Sequence, residues 1–200
     1  SKFGMIMPKL GMEPIRRQAL VEATIAEIGA VGTLDVTVAQ IARRAGMSSA
    51  LAHHYFGGKE QIFLAAMRHV MSVYAAEVRG ALVMAHTPSD RVEAIVRASF
   101  SRRNFRTETV AAWMNFYVLA QASQEARHLL TIYHRRLHSN LTYALRPLVG
   151  ERTQAVAERV AALIDGTYLR QSLGRETPNA TAAVSQILGY FHLERAQGYQ

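Results

Sequence analysis

A chain of 200 residues, half of them apolar, is long enough for one core, or for a small core and a larger one. It contains no cysteine, which excludes disulfide frameworks, thiolate metal sites and cysteine nucleophiles. No run approaches the roughly eighteen apolar residues of a membrane span, and the net charge of +8 suits a polyanionic partner.

The charge is spread rather than focused. Residues 1–60 carry seven Lys/Arg against five Asp/Glu, and residues 61–200 carry sixteen arginines against ten acids, so charge alone supports nucleic-acid binding only weakly. The opening residues lack the apolar stretch of a secretory signal. Met7 offers a second start, so residues 1–6 read as an expression remnant or a frayed end. With no cysteine to protect, a reducing cytoplasm is the expected location.

In chain order the hydrophobic spacing is helical throughout, with no strict two-residue alternation, so an all-α fold is expected. The first helix is expected over 14–32, opened by Pro14 and closed by Gly32. The second covers 38–45, broken by Gly46, and the third covers 49–56, ended by Gly57-Gly58. Longer helices are expected over 59–84, 90–103, 109–122, 124–148, 153–173 and 180–194. Three short helices followed by long ones imply a small head over 1–58 and a larger helical bundle over 59–200, with the fourth helix leading from one to the other.

The head carries the strongest local signal. Thr37 with Gln40 makes a capping box for the second helix, whose Ile41 and small Ala42 and Ala45 permit a close crossing. Gly46 suits the left-handed turn that follows, and Ser48 caps the third helix. Two short helices around such a turn form a helix-turn-helix, whose second helix enters the major groove. A plain helical hairpin would also satisfy the spacing. Against it, the third helix offers Ser48, Ser49, His53, His54 and Tyr55 and holds no acid, as an element lying against phosphates requires. Arg16, Arg17, Arg43, Tyr55 and Lys59 are the phosphate candidates, Ser48, Ser49, Leu51 and His54 the groups set to approach bases, and Thr37, Ala50 and His53 complete the residues expected to face DNA.

The stretch from Thr37 to Glu60, T-V-x-x-I-A-x-x-A-G-M-S-x-A-x-A-x-H-Y-F-x-x-K-E, resembles the head of the TetR family of repressors. Ala50 stands where that family often has glycine, and His53 where it often has a phosphate-contacting tyrosine. Met7 to Met12, Ile15 to Gln18 and, far downstream, Ala161 to Arg170 are similar to the subfamily of choline-responsive repressors of glycine-betaine synthesis genes. The resemblance implies an operator-binding homodimer released by choline, with the last two long helices pairing across the dimer. Ala155, Val156, Ala162, Ala182, Ala183, Val184, Ile187 and Leu188 suit that pairing or an intramolecular core equally.

A quaternary ammonium is held by aromatic faces and a carboxylate in a dry site. Trp113, Phe116 and Tyr117 share one face of a helix apolar nearly all round, and Asp165 stands in an apolar helix one turn before Tyr168. An aromatic triplet at helical spacing is ordinarily core, and Asp165 could equally cap Gly166 or pair with an arginine; the resemblance favours a cation cage. Tyr74 and Phe100 are weaker candidates. His134 and His138, with His128 nearby, have zinc-like spacing, but no acid or thiol completes the set. Nothing points to an enzyme or a cofactor: no G-x-S-x-G, phosphate-binding loop or H-E-x-x-H is present. Two rival readings are a TetR-like regulator of another lipophilic cation and a helical interaction module without DNA function.

Overall fold

The computed structural model describes residues 11–174 and 176–197. The 1–6 stretch and the resembling residues 7–10 lie outside the described residues. Among the described residues there are α-helices and one 3-10 turn but no strand, as the spacing requires. The chain divides into two compact units between Ala66 and Met67. The sequence places that division at 58/59; by its contacts the start of the fourth helix belongs to the first unit, and Ile62 and Phe63 there are fully or nearly fully buried.

The first unit holds α1 (Met12–Val31), α2 (Val38–Arg44), α3 (Ser49–Phe56) and the start of α4 (Lys59–Met84). Leu20, Ile25 and Ile28 of α1, Ile41 and Ala42 of α2 and Ala52 of α3 are buried. Burial of each larger aliphatic side chain contributes roughly 1.5–3 kcal/mol. Thr37 and Gln40 form the expected reciprocal cap, Gln40 N–H donating to Thr37 Oγ1 at 3.1 Å and Thr37 N–H to Gln40 Oε1 at 2.7 Å. Gly46 turns the chain at φ +71°, in the left-handed region that favours glycine. Ser48 accepts from Leu51 N–H at 3.2 Å and starts α3.

The second unit holds the rest of α4, then α5 (Pro88–Ser99), α6 (Thr107–Ala122), α7 (Gln124–Val149), a 3-10 turn (Gly150–Arg152), α8 (Thr153–Leu173) and α9 (Ala180–Ala196). Helix α7 packs on α5, α6 and α8, and α8 on α9. Helix α5 ends four residues before its expected limit, and α6 begins two residues earlier than expected. Between them Asn104 donates to Glu77 at 2.6 Å and to the Ala98 carbonyl at 2.8 Å, while Ser101 donates to Glu77 at 2.8 Å. These side chains capture the freed chain. Of the residues left open between core and dimer contact, Val156, Ala183, Val184, Ile187 and Leu188 turn inward and are buried, whereas Ala155, Ala162 and Ala182 are exposed.

Candidate functional site

In the second unit α4, α6, α7 and α8 converge on a cleft lined by Tyr74, Ser99, Asn104, Trp113, Tyr117, Tyr133, Ile164, Asp165 and Tyr168. Its atom-free space, open mouth included, is about 350 Å³. Helical spacing explains which aromatics reach it. Trp113 and Tyr117, one turn apart on α6, both line the cleft with centroids 5.8 Å apart. Phe116 does not line it: it is fully buried and meets Trp113 edge-on at 5.9 Å, so its assignment to the cage is corrected to core support. A four-residue step returns to within roughly 40° of the starting direction, whereas a three-residue step misses by roughly 60° on the other side.

Tyr133 of α7 closes the group, its ring 4.8 Å from Trp113 and 5.9 Å from Tyr74. Its hydroxyl donates to Asp165 Oδ1 at 3.3 Å, and Asp165 Oδ2 lies 3.6 Å from His134 Nε2. The partner of Asp165 is thus a histidine and a tyrosine, not an arginine. Tyr168 donates to the Asn104 carbonyl at 2.7 Å and leans on Phe105 and Phe100, with centroids at 5.3 and 6.1 Å. Phe100 is accordingly a support and not a lining group.

The electrostatics follow from burial. Desolvation, and next to it the negative charge of Asp165, push Tyr117 and Tyr133 well above the ordinary phenol value. Tyr74 is pushed up to about 12, burial again being the largest cause. Tyr168 is raised by burial and then by Tyr117. All four rings therefore stay neutral at working pH and present electron-rich faces. Burial also raises the Asp165 carboxyl, opposed by His134 and by the Tyr133 hydrogen bond. Among the described residues no lysine or arginine lines the cleft. Such a cavity disfavours anions and suits a small cation with apolar flanks.

Sequence reasoning reached Trp113, Tyr117, Asp165 and Tyr168, weighed Tyr74 as a lesser candidate, and missed Tyr133, Ser99 and Asn104. The signal for Tyr133 was its place beside His134, a histidine weighed only for metal. His138 bonds Gln154 at 2.8 Å instead, and among the described residues no group of three His, Asp or Glu is placed to hold an ion.

In the first unit Arg16, Thr37, Arg43, Ser48, Ala50, His53, His54 and Lys59 are exposed, while Ser49, Leu51 and Tyr55 are half-buried. Arg17 already has partners: it donates to Glu13 and to the Tyr55 carbonyl, each at 2.8 Å, and lies over the rings of Tyr55 and Phe56. It clamps α1 to the end of α3. His53 donates through Nδ1 to the Gly57 carbonyl, closing the same helix end. Lys59 donates to the Leu34 carbonyl at 3.0 Å, and Thr37 is engaged in its cap. The side chains of Arg16 and Arg43 have no partner among the described residues, which leaves them free to meet an anion.

Comparison with known proteins agrees at both ends of the chain. Residues 20–66 match the model for bacterial regulatory proteins of the tetR family, and residues 88–194 match that for the C-terminal part of BetI-type transcriptional repressors. The HTH-type transcriptional regulator BetI of Brucella anthropi is 50% identical over 189 residues, covering 94% of this chain and 97% of its own length. BetI of Rhizobium meliloti is 48% identical over 194 residues, 96% of each chain. Among solved structures, a transcriptional regulator of Pseudomonas aeruginosa PAO1 superposes with a TM-score of 0.80 at 25% identity, over 94% of this chain and 93% of its own. A regulator of Saccharomonospora viridis, solved in complex with choline, shares the fold with a TM-score of 0.80 at 18% identity, over 90% of this chain and 96% of its own. These relatives are regulators of transcription and not enzymes. The chain belongs to the TetR family of DNA-binding transcriptional repressors, in its BetI-type branch.

Proposed function

We propose that the protein is a homodimeric repressor of choline-to-glycine-betaine synthesis genes, which leaves its operator when choline enters the cleft. The observation that carries this reading is the cleft itself: aromatic faces and one carboxylate, with no lysine or arginine in its lining. Choline needs this chemistry, because its methylated nitrogen donates no strong hydrogen bond and is held by ring faces and a counter-charge. The choline bound in the Saccharomonospora viridis regulator and the name shared by the Brucella and Rhizobium relatives support the same assignment. A bulkier lipophilic cation is the alternative effector. In the head, Arg16, Arg43 and Lys59 are assigned to phosphates. Ser48, Ser49, Leu51 and His54 at the exposed side of α3 are assigned to base edges.

The test is calorimetric titration of choline and its neutral isostere 3,3-dimethylbutanol into wild type, Trp113→Ala, Trp113→Phe and Asp165→Asn, with thermal melts as folding control. Trp113→Ala should lose about 2 kcal/mol of choline binding, roughly thirtyfold in affinity, and Trp113→Phe only part of that. Asp165→Asn should weaken choline more than the isostere. A folded Trp113→Ala variant with wild-type choline affinity would remove the ring from the site.

A further inference from the structure

Among the described residues the cleft lining has no lysine or arginine, yet a histidine stands beside its carboxylate. His134 Nε2 lies 3.6 Å from Asp165 Oδ2 while its side chain remains 48% exposed, at the cleft's rim on α7 and in reach of solvent. The other groups facing Asp165 are phenols: Tyr133 from α7, Tyr74 from α4 and Tyr117 from α6; Tyr168 follows one turn along α8, and α9 lines none of the cleft. His138, one turn along α7, is occupied by Gln154. Among the described residues that line the cleft or contact Asp165, His134 is the one whose side chain type can take up a positive charge near neutral pH.

We infer that His134 is a resident counter-ion for Asp165 which a cationic effector displaces, so that effector uptake releases a proton to solvent. The inference rests on the cation-binding reading of the cleft. An imidazolium beside a carboxylate holds its proton more firmly than one without such a partner. A quaternary ammonium entering the cage takes over the neutralisation of Asp165. Whether the His134 ring then stays beside the new cation or turns out to solvent, it has lost the anion that retained its proton. The N–H bond at Nε2 breaks, the proton passes to water, and the ring remains neutral. By linkage, a proton released on binding means that the effector binds less tightly as pH falls. A neutral ligand of the same shape leaves the pair intact and releases nothing. The pair thus makes the site selective for cations and sensitive to pH, through a side chain outside the aromatic cage.

The experiment is calorimetry of choline with the full-length protein from about pH 6 to pH 8, spanning the ordinary histidine range. Each pH is run in two buffers of different ionisation enthalpy, so that released protons are counted. Wild type should release a fraction of a proton approaching one, and its affinity should rise with pH by up to tenfold per unit. The His134→Gln variant should release none and show a flat profile, binding more tightly than wild type at the acid end. The His134→Arg variant keeps its charge at every pH and should be flat and weaker throughout; circular dichroism checks that both fold. Titration of 3,3-dimethylbutanol should move no protons. Choline binding to wild type with no pH dependence overturns the inference and leaves the cation site standing. A slope that persists in His134→Gln assigns the proton to Asp165 and overturns it as well. Failure of wild type to bind choline at any pH removes the underlying reading, and the inference with it.

Discussion

Asp165 shows how a half-buried carboxylate opposes the stability of its own fold. Burial is the largest influence on its carboxyl and raises it above the ordinary value of 3.8, with His134 and the Tyr133 hydroxyl acting in the other direction. A raised carboxyl means that the folded protein holds this proton more firmly than the unfolded chain does. Ionising it therefore costs stability, fully above the folded value, and the cost vanishes once the pH lies below the ordinary value. Asp165→Asn should accordingly raise the melting temperature of the unliganded protein near neutral pH. The gain should shrink as the pH approaches about 4, while choline binding is weakened throughout. Melting curves across that range test it. A neutral-pH melting temperature below that of wild type would mean that His134 and Tyr133 more than offset the burial, and that Asp165 is a structural ion-pair residue. The phenols of the cleft carry no such cost, being neutral in both states at working pH.

At the scale of elements, helix α3 is where local sequence and tertiary structure agree most closely. Helix α3 starts and ends where Ser48 and Gly57 predict, because a cap and a left-handed glycine act within their own turn. Ala50 is exposed on it, so a larger side chain there meets no neighbour within the protomer. Ala50→Leu should leave the melting curve unchanged within about 0.5 kcal/mol, as exposed substitutions do. It should abolish specific retardation of operator DNA if α3 lies in the groove. Wild-type operator affinity in that variant would place another element there. The end of α5 was illegible for the converse reason. No glycine or proline marks it, and the chain is turned by Asn104 and Ser101 reaching Glu77, a partner more than twenty residues earlier on another helix. The cleft divides the same way. Trp113 and Tyr117 announce themselves by spacing within α6, and Asp165 by being an acid in an apolar run. Tyr133 becomes part of the site only because α7 packs on α8, bringing together residues thirty-two positions apart. Arg17 is placed by tertiary contacts that its own helix does not announce. Its charge suited phosphate, but the rings of Tyr55 and Phe56 and the Tyr55 carbonyl engage it first.

For the molecule as a whole, the question is which surface makes two heads from one. With Val156, Ala183, Val184, Ile187 and Leu188 turned into the protomer's own core, the outer sides of α8 and α9 are what remain for a partner. Those sides carry small exposed residues, Ala155, Ala162, Ala182 and Gly189, among larger apolar ones: Leu169, Leu173 at 71% exposure and Leu193 at 68%. Small residues allow helix axes to approach, and exposed leucines supply apolar area to bury, so a second copy related by a two-fold axis is the expected occupant. The cleft is lined by residues of the second unit, whereas a palindromic operator is met by two heads. The two activities should therefore separate. Leu169→Arg with Leu173→Arg places charge in the contact without touching the core, and should give a monomer in sedimentation that keeps its helical content. Choline affinity should stay at the wild-type level. Operator affinity should fall by about 10²–10⁴-fold, the gain that a second tethered contact provides. A variant that still sediments as a dimer with full operator affinity would move the interface to another face. A monomer that also loses choline would show that the cleft depends on the partner subunit for its shape.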